Sequence, residues 1–261
     1  MDEIVTEHAA GILRIQLNRP TKRNAMTSAM YVALADIFNA AANDESTRVV
    51  LWHGAGDSFC AGNDIEDFLK NPPGSGESPQ ARLMDALLGF DKPLVAAVHG
   101  AAIGGGTTML THCDFIYAGE STKFQMPFIN LAVVPEFGSS CSVPARIGHL
   151  RAAELILLGT PFDARRAVEL GLATEVVPDN DLRAKATDTA RKLAAKPAAA
   201  LQASKRLMKQ PFREQIKAAI KAENEEFSKQ VRSEDAREAF TAFVEKRKPD
   251  FTRNIKSQAT A

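Results

Sequence analysis

The sequence predicts an α/β domain followed by a helical C-terminal segment. The chain has 261 residues, 45% of them hydrophobic and 25% charged, which is typical of a soluble globular protein with a sizeable core. Short apolar runs of the buried-strand type alternate with helical periodicity through the first two thirds of the chain. After Pro178 the sequence becomes rich in Ala, Lys and Glu at helical spacing, which predicts helices alone.

The first predicted elements are a strand, a helix and a strand. Residues 12–17 (ILRIQL) alternate apolar and polar positions and stop at an Asn-Arg-Pro turn. Apolar side chains recur at helical spacing in residues 27–43, and Asn and Asp mark the end of that helix. The apolar run at residues 48–52 (RVVLW) is typical of a buried strand.

The later elements continue this alternation and then give way to helices. Further strands are predicted at residues 93–98, 115–118 and 175–177. Four C-terminal helices, separated by Pro197, Pro211 and Arg232-Ser233, are predicted at residues 181–195, 198–209, 213–231 and 234–246. Residues 71–77 (NPPGSGE) predict a mobile surface loop.

Charge and cysteine content exclude several function classes. The 32 basic and 32 acidic residues leave no net field to attract nucleic acid or an anionic membrane surface. The three cysteines are widely spaced and form no CxxC pair, so we expect neither a disulfide framework nor a metal site. The N-terminus lacks the apolar core of a secretory signal, and no apolar run is long enough to span a membrane. We therefore expect a cytoplasmic protein.

Two glycine-containing turns carry the clearest chemical signal. In FCAGNDI, residues 59–65, a turn of small residues leads into an amphipathic helix, and Gly104-Gly105-Gly106 repeats that arrangement between a strand and a helix. Helix starts leave backbone N–H groups unpaired, and glycine permits close approach of a ligand. If the turns face one another, their N–H groups can form an oxyanion hole for a carbonyl oxygen that gains charge. Either turn alone is also compatible with tight packing.

Several motifs in order make the chain resemble the crotonase superfamily, the enoyl-CoA hydratases and isomerases. They are LNRPTKRNAM, FCAGNDI, KPLVAAVHGAAIGGG with THCDF, FQMPFINLAVVPEFG, LGTPFDARRAVELGLATEVVP and AFVEKRKPDF. The resemblance implies a spiral of repeated β-β-α units at residues 1–196, which binds acyl-CoA thioesters and performs catalysis. It also implies a helical trimerisation lobe at residues 197–261, assembly as a homotrimer or dimer of trimers, and no cofactor beyond the coenzyme A of the substrate.

The resemblance also implies roles for individual residues. The oxyanion donors would be the backbone N–H groups of Asn63 and Gly105. The other residues that the resemblance places at the acyl-CoA site are Ala61, Gly62, Asp64, Ile65 and Phe128, with Lys22 and Arg23 near the CoA phosphates and Phe243 and Lys246 at the pocket of the same or a neighbouring subunit. Lys22 and Arg23 are also compatible with ordinary solvated surface charges.

The sequence departs from a typical hydratase of this family at two positions. Such a hydratase carries one glutamate two residues after the glycine triplet and another just after the proline of the following block. Here those positions hold Thr108 and Phe128. Neither side chain transfers a proton near neutral pH, so the two-carboxylate addition of water is not supported.

Glu136 is the leading candidate for a single catalytic base. It follows Pro135 in a block where the isomerase branch of the family places its glutamate. Residues 126–143 contain no other charged residue. One carboxylate is enough to move a double bond from position 3 to position 2. The competing interpretation is a solvated acid at a helix start. Burial would raise the pKa of Glu136, and a helix N-terminus would lower it.

The remaining polar candidates have structural interpretations. Asp64 is expected to cap the following helix, although a second catalytic acid is an alternative. Structural roles are also expected for the others: Asp114, His99 and His112 in the core or in turns, Cys60 and Cys141 as small fillers, and Glu66 and Asp67 on a solvated helix face. Two functional alternatives remain: another crotonase reaction such as enoyl-CoA hydration, and a non-catalytic acyl-CoA-binding protein.

Overall fold

The computed structural model describes residues 2–70 and 78–252, so the surface loop predicted at residues 71–77 lies outside the described residues. The strands are β1 (Ile4–Ala9), β2 (Ile12–Leu17), β3 (Val49–Gly54), β4 (Leu94–Val98), β5 (Ala101–Ile103), β6 (Phe115–Gly119), β7 (Lys123–Gln125), β8 (Phe162–Asp163) and β9 (Glu175–Val177). The α-helices are α1 (Ser28–Asn43), α2 (Ile65–Lys70), α3 (Pro79–Gly89), α4 (Gly105–Thr108), α5 (Ser139–Ile147), α6 (His149–Leu157), α7 (Ala164–Glu169), α8 (Leu182–Ala194), α9 (Ala198–Gln230) and α10 (Glu234–Val244). Three 3-10 helices lie at Pro20–Lys22, Met109–His112 and Phe128–Leu131.

The strands form two sheets. The larger sheet has the order β1-β2-β3-β4-β6-β9 and is parallel except for the β1-β2 hairpin. The smaller sheet has the order β5-β7-β8. In the parallel part of the large sheet, the chain leaves the carboxyl ends of β3 and β4 and enters the two glycine turns. Loops at this edge of a parallel sheet are the usual location of ligand sites.

Helix α1 confirms the helix predicted at residues 27–43. It begins after Thr27, whose side chain accepts a hydrogen bond from Met30 N and so caps the helix. Its buried face packs against α3 and the large sheet, where Phe38 meets Trp52 with ring centroids 5.5 Å apart. Burial of aromatic rings contributes strongly to core stability. This packing fixes the position of Tyr31, which points from α1 toward the glycine turns.

The C-terminal helices differ from the prediction at Pro211. Instead of two helices separated there, α9 runs without interruption from Ala198 to Gln230. Pro211 removes only one backbone hydrogen bond and is exposed, while the helix is held to the core on both sides by buried residues such as Lys205 and Ile220. Tertiary packing therefore outweighs the local helix-breaking preference.

Helices α9 and α10 share the core of the sheet-bearing region. Ile220, Ala236 and Phe240 belong to the same cluster of buried side chains as the α1 and β3 residues. The Phe240 ring lies 5.6 Å from the Phe68 ring of α2. The role of residues 197–261 as a trimerisation lobe stays a prediction. Within the described ranges, no helix combines the length and apolar character needed to cross a membrane.

Candidate active site

The two glycine turns lie against one another. Cys60 N donates to Ala101 O and Ile103 N donates to Cys60 O, each at 2.9 Å, so the first turn is bonded to β5, which leads into the second turn. A Cβ atom at Gly62 would lie 2.9 Å from Ile103 O, and one at Gly106 would collide with Cys60 O. The two turns therefore face one another, and their close approach requires glycine at both positions.

The second turn begins a helix with a conformation that suits glycine. Gly104 has φ 56° and ψ −122°, and a Cβ atom there would meet nothing within 4 Å. The positive φ therefore demands glycine, and the space beside it is open. Thr107 N and Thr108 N both donate to Gly104 O, at 2.9 and 3.0 Å, and close the first turn of α4. The next residue, Gly105, is the first of α4.

The backbone N–H groups of Asn63 and Gly105 are candidates for binding a ligand oxygen. On either side of Asn63, Met26 N donates to Gly62 O and Asp64 N donates to Met26 O, both at 2.8 Å. No acceptor in residues 2–70 and 78–252 pairs with the N–H of Asn63 or of Gly105. Unpaired N–H groups at adjoining turns can donate to one anionic oxygen.

The carboxyl group of Glu136 lies directly against Gly105. A Cβ atom at Gly105 would be 2.8 Å from Glu136 Oε1, so the carboxyl occupies the space that a side chain would need. Glu136 is only 4% exposed, and within the described part of the chain its Oε1 has no hydrogen-bond partner. The interpretation as a solvated acid at a helix start is therefore wrong.

Burial controls the acidity of Glu136. Removal from water, and secondarily the nearby Glu223 carboxylate, raise the pKa of Glu136 to about 8. The amino-acid sequence alone leaves open whether burial or the helix N-terminus dominates the pKa of Glu136. In the structure, burial dominates. A carboxyl group with a pKa near the working pH is suited to proton transfer in both directions.

Tyr31 completes the cluster and has no counterpart among the predicted site residues. Its hydroxyl donates to Asn63 Oδ1 at 2.7 Å and lies 3.2 Å from the position of a Cβ atom on Gly105. Burial, with smaller contributions from Glu136 and Cys60, raises the pKa of Tyr31 well above its ordinary value, so the hydroxyl stays protonated. The sequence gives no signal for this role, because a tyrosine at an apolar helix position normally indicates core packing.

The two positions without hydratase carboxylates are buried and unable to exchange protons. Thr108 is fully buried, and its Oγ1 donates to Gly104 O at 3.3 Å. Phe128 is 4% exposed and belongs to the main hydrophobic core. With no carboxyl at either of these positions, Glu136 supplies the carboxyl group that lies against Gly105.

Asp64 is occupied by structural bonds. Its Oδ1 accepts from Glu66 N and Asp67 N at the start of α2, as the sequence predicts for a cap, and its Oδ2 pairs with Arg19 at 3.0 Å. Burial acts to raise the pKa of Asp64, but the hydrogen bonds from Asp67 N–H and Arg19 outweigh it and leave that pKa below its ordinary value. An ionised, fully engaged carboxylate is a poor second acid.

Of the residues predicted for CoA binding, Lys22, Arg23 and Ile65 lie around the first glycine turn. Ala61 N donates to Arg23 O at 3.0 Å, which brings the Lys22-Arg23 turn beside it. Both side chains are exposed, and Lys22 Nζ lies 3.4 Å from Glu66 Oε1. Ile65 is half-buried against the core. Two cations are thus placed at the rim of the turn.

Phe243 and Lys246 lie exposed at the C-terminal end of α10. Phe243 is 59% exposed near the end of α10, and Lys246 is exposed just beyond it. The neighbouring Phe240, and not Phe243, faces the core. Any contact of Phe243 and Lys246 with a site in another subunit remains a prediction.

The other polar predictions have mixed outcomes. His112 Nε2 contacts Phe137 O and His99 Nε2 contacts Gly56 O, both at 2.9 Å, so both histidines hold turns as expected. Asp114 has the structural role predicted for it, since it accepts from Leu94 N and pairs with Lys205. The solvated position predicted for Asp67 is wrong, because its carboxylate accepts from Ser28 N and Ser28 Oγ, both at 2.8 Å, at the start of α1.

Comparison with known proteins supplies the family. The enoyl-CoA hydratase/isomerase family model matches residues 7–254, almost the whole chain. The protein belongs to that family. The crotonase resemblance predicted from the motifs is therefore confirmed, and the fold is confirmed by a solved enoyl-CoA hydratase/isomerase from Pseudoalteromonas atlantica T6c. That structure is 37% identical, with a TM-score of 0.91 over 96% of this chain and 100% of the other.

Relatives of this enoyl-CoA hydratase/isomerase family protein bear names of both reaction types. The 2,3-dehydroadipyl-CoA hydratase of Escherichia coli K12 is 32% identical over 96% of this chain and 99% of its own length. The enoyl-CoA delta isomerase 2 of Rattus norvegicus is 32% identical over 94% of this chain and 64% of its own length. Overall identity therefore leaves the choice between hydratase and isomerase to the residues of the site.

Proposed function

We propose that this protein isomerises 3-enoyl-CoA to 2-enoyl-CoA, with Glu136 as the group that carries the proton. The observation that supports the proposal most strongly is the buried Glu136 carboxyl against Gly105, with Thr108 and Phe128 at the positions where a hydratase has carboxylates. An acyl-CoA thioester is the proposed substrate.

The proposed reaction moves one proton and no water. The Glu136 carboxylate removes a proton from carbon 2, and the electron pair of that C–H bond forms the dienolate, whose charge lies on the thioester oxygen. The N–H groups of Asn63 and Gly105 stabilise this oxygen. The Glu136 carboxylic acid then returns the proton to carbon 4, the double bond lies between carbons 2 and 3, and the carboxylate is regenerated.

The surroundings of Glu136 favour this reaction over hydration. Hydration requires one group to activate water and another to deliver a proton to carbon 2. The Thr108 hydroxyl bonds a backbone carbonyl, and Phe128 has no polar atom that orients water. A single acid-base group beside unpaired N–H donors is sufficient for the isomerisation.

Recognition of coenzyme A and assembly are further parts of the proposal. Lys22 and Arg23 are exposed cations next to Ala61 and are suited to the CoA phosphates. Assembly into a homotrimer or a dimer of trimers is proposed as well, with Phe243 and Lys246 near the acyl-CoA pocket of the same or a neighbouring subunit.

Two substrates and two variants test the proposal. Wild-type protein is expected to convert 3-enoyl-CoA to 2-enoyl-CoA much faster than it hydrates 2-enoyl-CoA. Glu136→Gln is expected to lower kcat by roughly 100-fold or more, because a general base contributes about that much. Glu120→Gln, which removes an exposed carboxylate elsewhere, serves as the control and should retain full activity. Undiminished isomerisation by Glu136→Gln, hydration as fast as isomerisation, or tight CoA-ester binding without turnover would each contradict the proposal.

A further inference from the structure

The turn that carries Glu136 has a strained backbone. Phe137 and Gly138 directly follow Glu136 and both have left-handed conformations, with φ 62° and φ 70°. A bulky residue such as phenylalanine rarely adopts this conformation, because it is energetically unfavourable for an L-residue with a large side chain. Surrounding contacts must therefore hold the turn in place.

Glu223 of helix α9 supplies two of those contacts. Its Oε2 accepts from Gly138 N at 2.7 Å, and its Oε1 accepts from Ser140 N at 2.8 Å. These N–H groups lie at the start of α5, where helix geometry leaves donors without partners. Glu223 is 5% exposed, and burial raises the pKa of its carboxyl, whereas the hydrogen bonds from Ser140 and Gly138 act to lower that pKa. In the described chain neither Glu223 nor Glu136 forms an ion pair with a lysine or arginine.

Other contacts hold the turn in the same position. The Phe137 ring is fully buried and lies 6.5 Å from the Tyr31 ring, centroid to centroid. His112 Nε2 contacts Phe137 O at 2.9 Å, and Ser139 Oγ donates to Glu136 O at 2.7 Å. A Cβ atom at Gly138 would lie 2.7 Å from Ile216 Cγ2 of α9. Helix α9 therefore contacts the turn through both the carboxylate of Glu223 and the apolar side chain of Ile216.

We propose that Glu223 is a positioning residue for Glu136: by binding the N–H groups of Gly138 and Ser140, its carboxylate fixes the turn that holds Glu136 against Gly105. This role rests on the proposed function, since it concerns the proposed base. Glu223 lies 87 positions after Glu136 in the sequence and on the helix that follows the sheet-bearing region. It thus links the placement of the acid-base group to the packing of α9.

The negative charge of Glu223 has a second effect on the same turn. It disfavours ionisation of Glu136 and adds to the effect of burial in raising the pKa of Glu136. The other titratable groups near the carboxyl are Tyr31 and Cys60, whose pKa values are raised by burial, and His112, whose pKa is lowered to about 4. All three are neutral near pH 7, which leaves Glu223 as the neighbour that raises the pKa of Glu136, and burial raises the pKa of Glu223 as well.

The test compares Glu223→Gln with Glu225→Gln. Glutamine preserves the size of residue 223 but removes its charge and leaves a single oxygen to accept from two N–H groups. We expect kcat for 3-enoyl-CoA to fall roughly 10- to 100-fold with KM nearly unchanged, since small displacements of a reacting group have such effects. The acid limb of the kcat profile should also shift to lower pH. Glu225, exposed on the same helix, is the control, and its variant should match wild-type protein.

Glu223→Asp separates position from charge. Aspartate keeps the charge but is shorter by one methylene group, so it cannot reach both N–H groups in the same geometry. We expect kcat to fall without a downward shift of the acid limb. If Glu223→Gln does not fold, this variant decides the question: wild-type kcat in Glu223→Asp would overturn the positioning role.

Two measurements without turnover distinguish this proposal from the proposed function. They are the ¹³C NMR titration of the Glu136 carboxyl, assigned by its absence in Glu136→Gln, and amide hydrogen exchange at Gly138 and Ser140. Glu223→Gln should lower the Glu136 midpoint and accelerate both exchange rates. If these changes occur in a protein that lacks isomerase activity, the proposed function fails and the placement of Glu136 by Glu223 stands. If wild-type protein isomerises but Glu223→Gln matches it in kcat, titration and exchange, the positioning role is overturned.

Discussion

At the scale of single residues, Glu136 combines burial with an unpartnered oxygen. Its carboxyl is 4% exposed, and Oε1 has no partner among the described residues. Such a group is unfavourable for folding once it ionises, because a buried charge without a counter-charge is strongly disfavoured. The same property makes it a proton acceptor and donor near neutral pH. The proposed activity therefore has a cost in stability that a mutation can reveal.

Glu136→Gln should stabilise the protein at high pH. The folded protein retains the Glu136 proton up to about pH 8, whereas an unfolded chain releases it near its ordinary pKa of 4.5. The contribution of Glu136 to the free energy of unfolding of the wild-type protein is therefore fully present below pH 4.5. It is lost as the pH rises to about 8. Relative to wild type, we expect the free energy of unfolding of Glu136→Gln to rise between about pH 5 and pH 8.5 by on the order of 4 kcal/mol.

Urea unfolding at several pH values measures this difference. Glu225→Gln, which removes an exposed carboxylate, should give a difference from wild type that does not depend on pH in this range. A stability difference for Glu136→Gln that is constant from pH 5 to about pH 8.5 would mean that Glu136 titrates as an ordinary carboxyl.

At the scale of elements, the site depends on turns whose conformation is set by neighbouring elements. The sequence indicates both glycine turns, because glycine clusters between strand and helix patterns are visible locally. It does not indicate that Tyr31 of α1 binds Asn63 in the first glycine turn. Nor does it indicate that Glu223 of α9 and His112 of a 3-10 helix hold the turn after Glu136, because these residues look like ordinary helical positions. Their roles arise only from tertiary packing.

Gly138→Ala should disrupt the turn more than Gly171→Ala does. Both glycines have similar left-handed φ values, 70° and 73°, so each variant should lose about 1 kcal/mol from backbone strain. A Cβ atom at Gly138 would also lie 2.7 Å from Ile216 Cγ2, whereas one at Gly171 would meet nothing within 4 Å. We expect an additional loss of about 1–3 kcal/mol and a lower kcat for Gly138→Ala alone.

Denaturant unfolding and isomerase kinetics on the two variants test this contact. Equal losses of stability with equal kcat would show that α9 does not constrain the turn. The difference between the two variants is the informative quantity, because the backbone contribution is common to both.

The secondary structure shows the same division between local and tertiary signals. The prediction for residues 12–17 matches β2, and that for residues 175–177 matches β9. Strand β1 was not predicted, because its residues IVTEHA are mostly exposed and form a strand by pairing with β2. Strands β5, β7 and β8 were not predicted either, since these two- or three-residue segments are defined by pairing with their neighbours. The predicted break at Pro211 was wrong for a related reason: packing of α9 along its length outweighs one local preference.

At the scale of the whole molecule, the C-terminal helices complete the core that supports the site. Phe240 of α10 packs on Phe68 of α2, and Glu223 of α9 holds the turn after Glu136. The sequence predicted the family, the fold class and the candidate base, because these depend on motifs that are contiguous in the chain. Contacts that join distant segments required the structure.

Phe240→Ala and Phe243→Ala should differ sharply in stability. Phe240 is 6% exposed and Phe243 is 59% exposed on the same helix. Truncating a buried phenylalanine costs about 3–5 kcal/mol, whereas surface substitutions stay within about 0.5 kcal/mol. We expect Tm to fall by roughly 6–15 °C for Phe240→Ala and to change little for Phe243→Ala. Equal Tm values in thermal unfolding would contradict the placement of α10.

The most direct measurement of the central proposal follows the hydrogen that Glu136 carries. 3-Enoyl-CoA deuterated at carbon 2 is incubated with wild-type protein and with Glu136→Gln, and the product is analysed for deuterium at carbon 4. If one buried carboxyl removes and returns the hydrogen, wild-type 2-enoyl-CoA should carry part of the deuterium at carbon 4, and Glu136→Gln should form little product. Undiminished product formation by Glu136→Gln, with the same deuterium content at carbon 4, would contradict the assignment of Glu136 as the proton carrier.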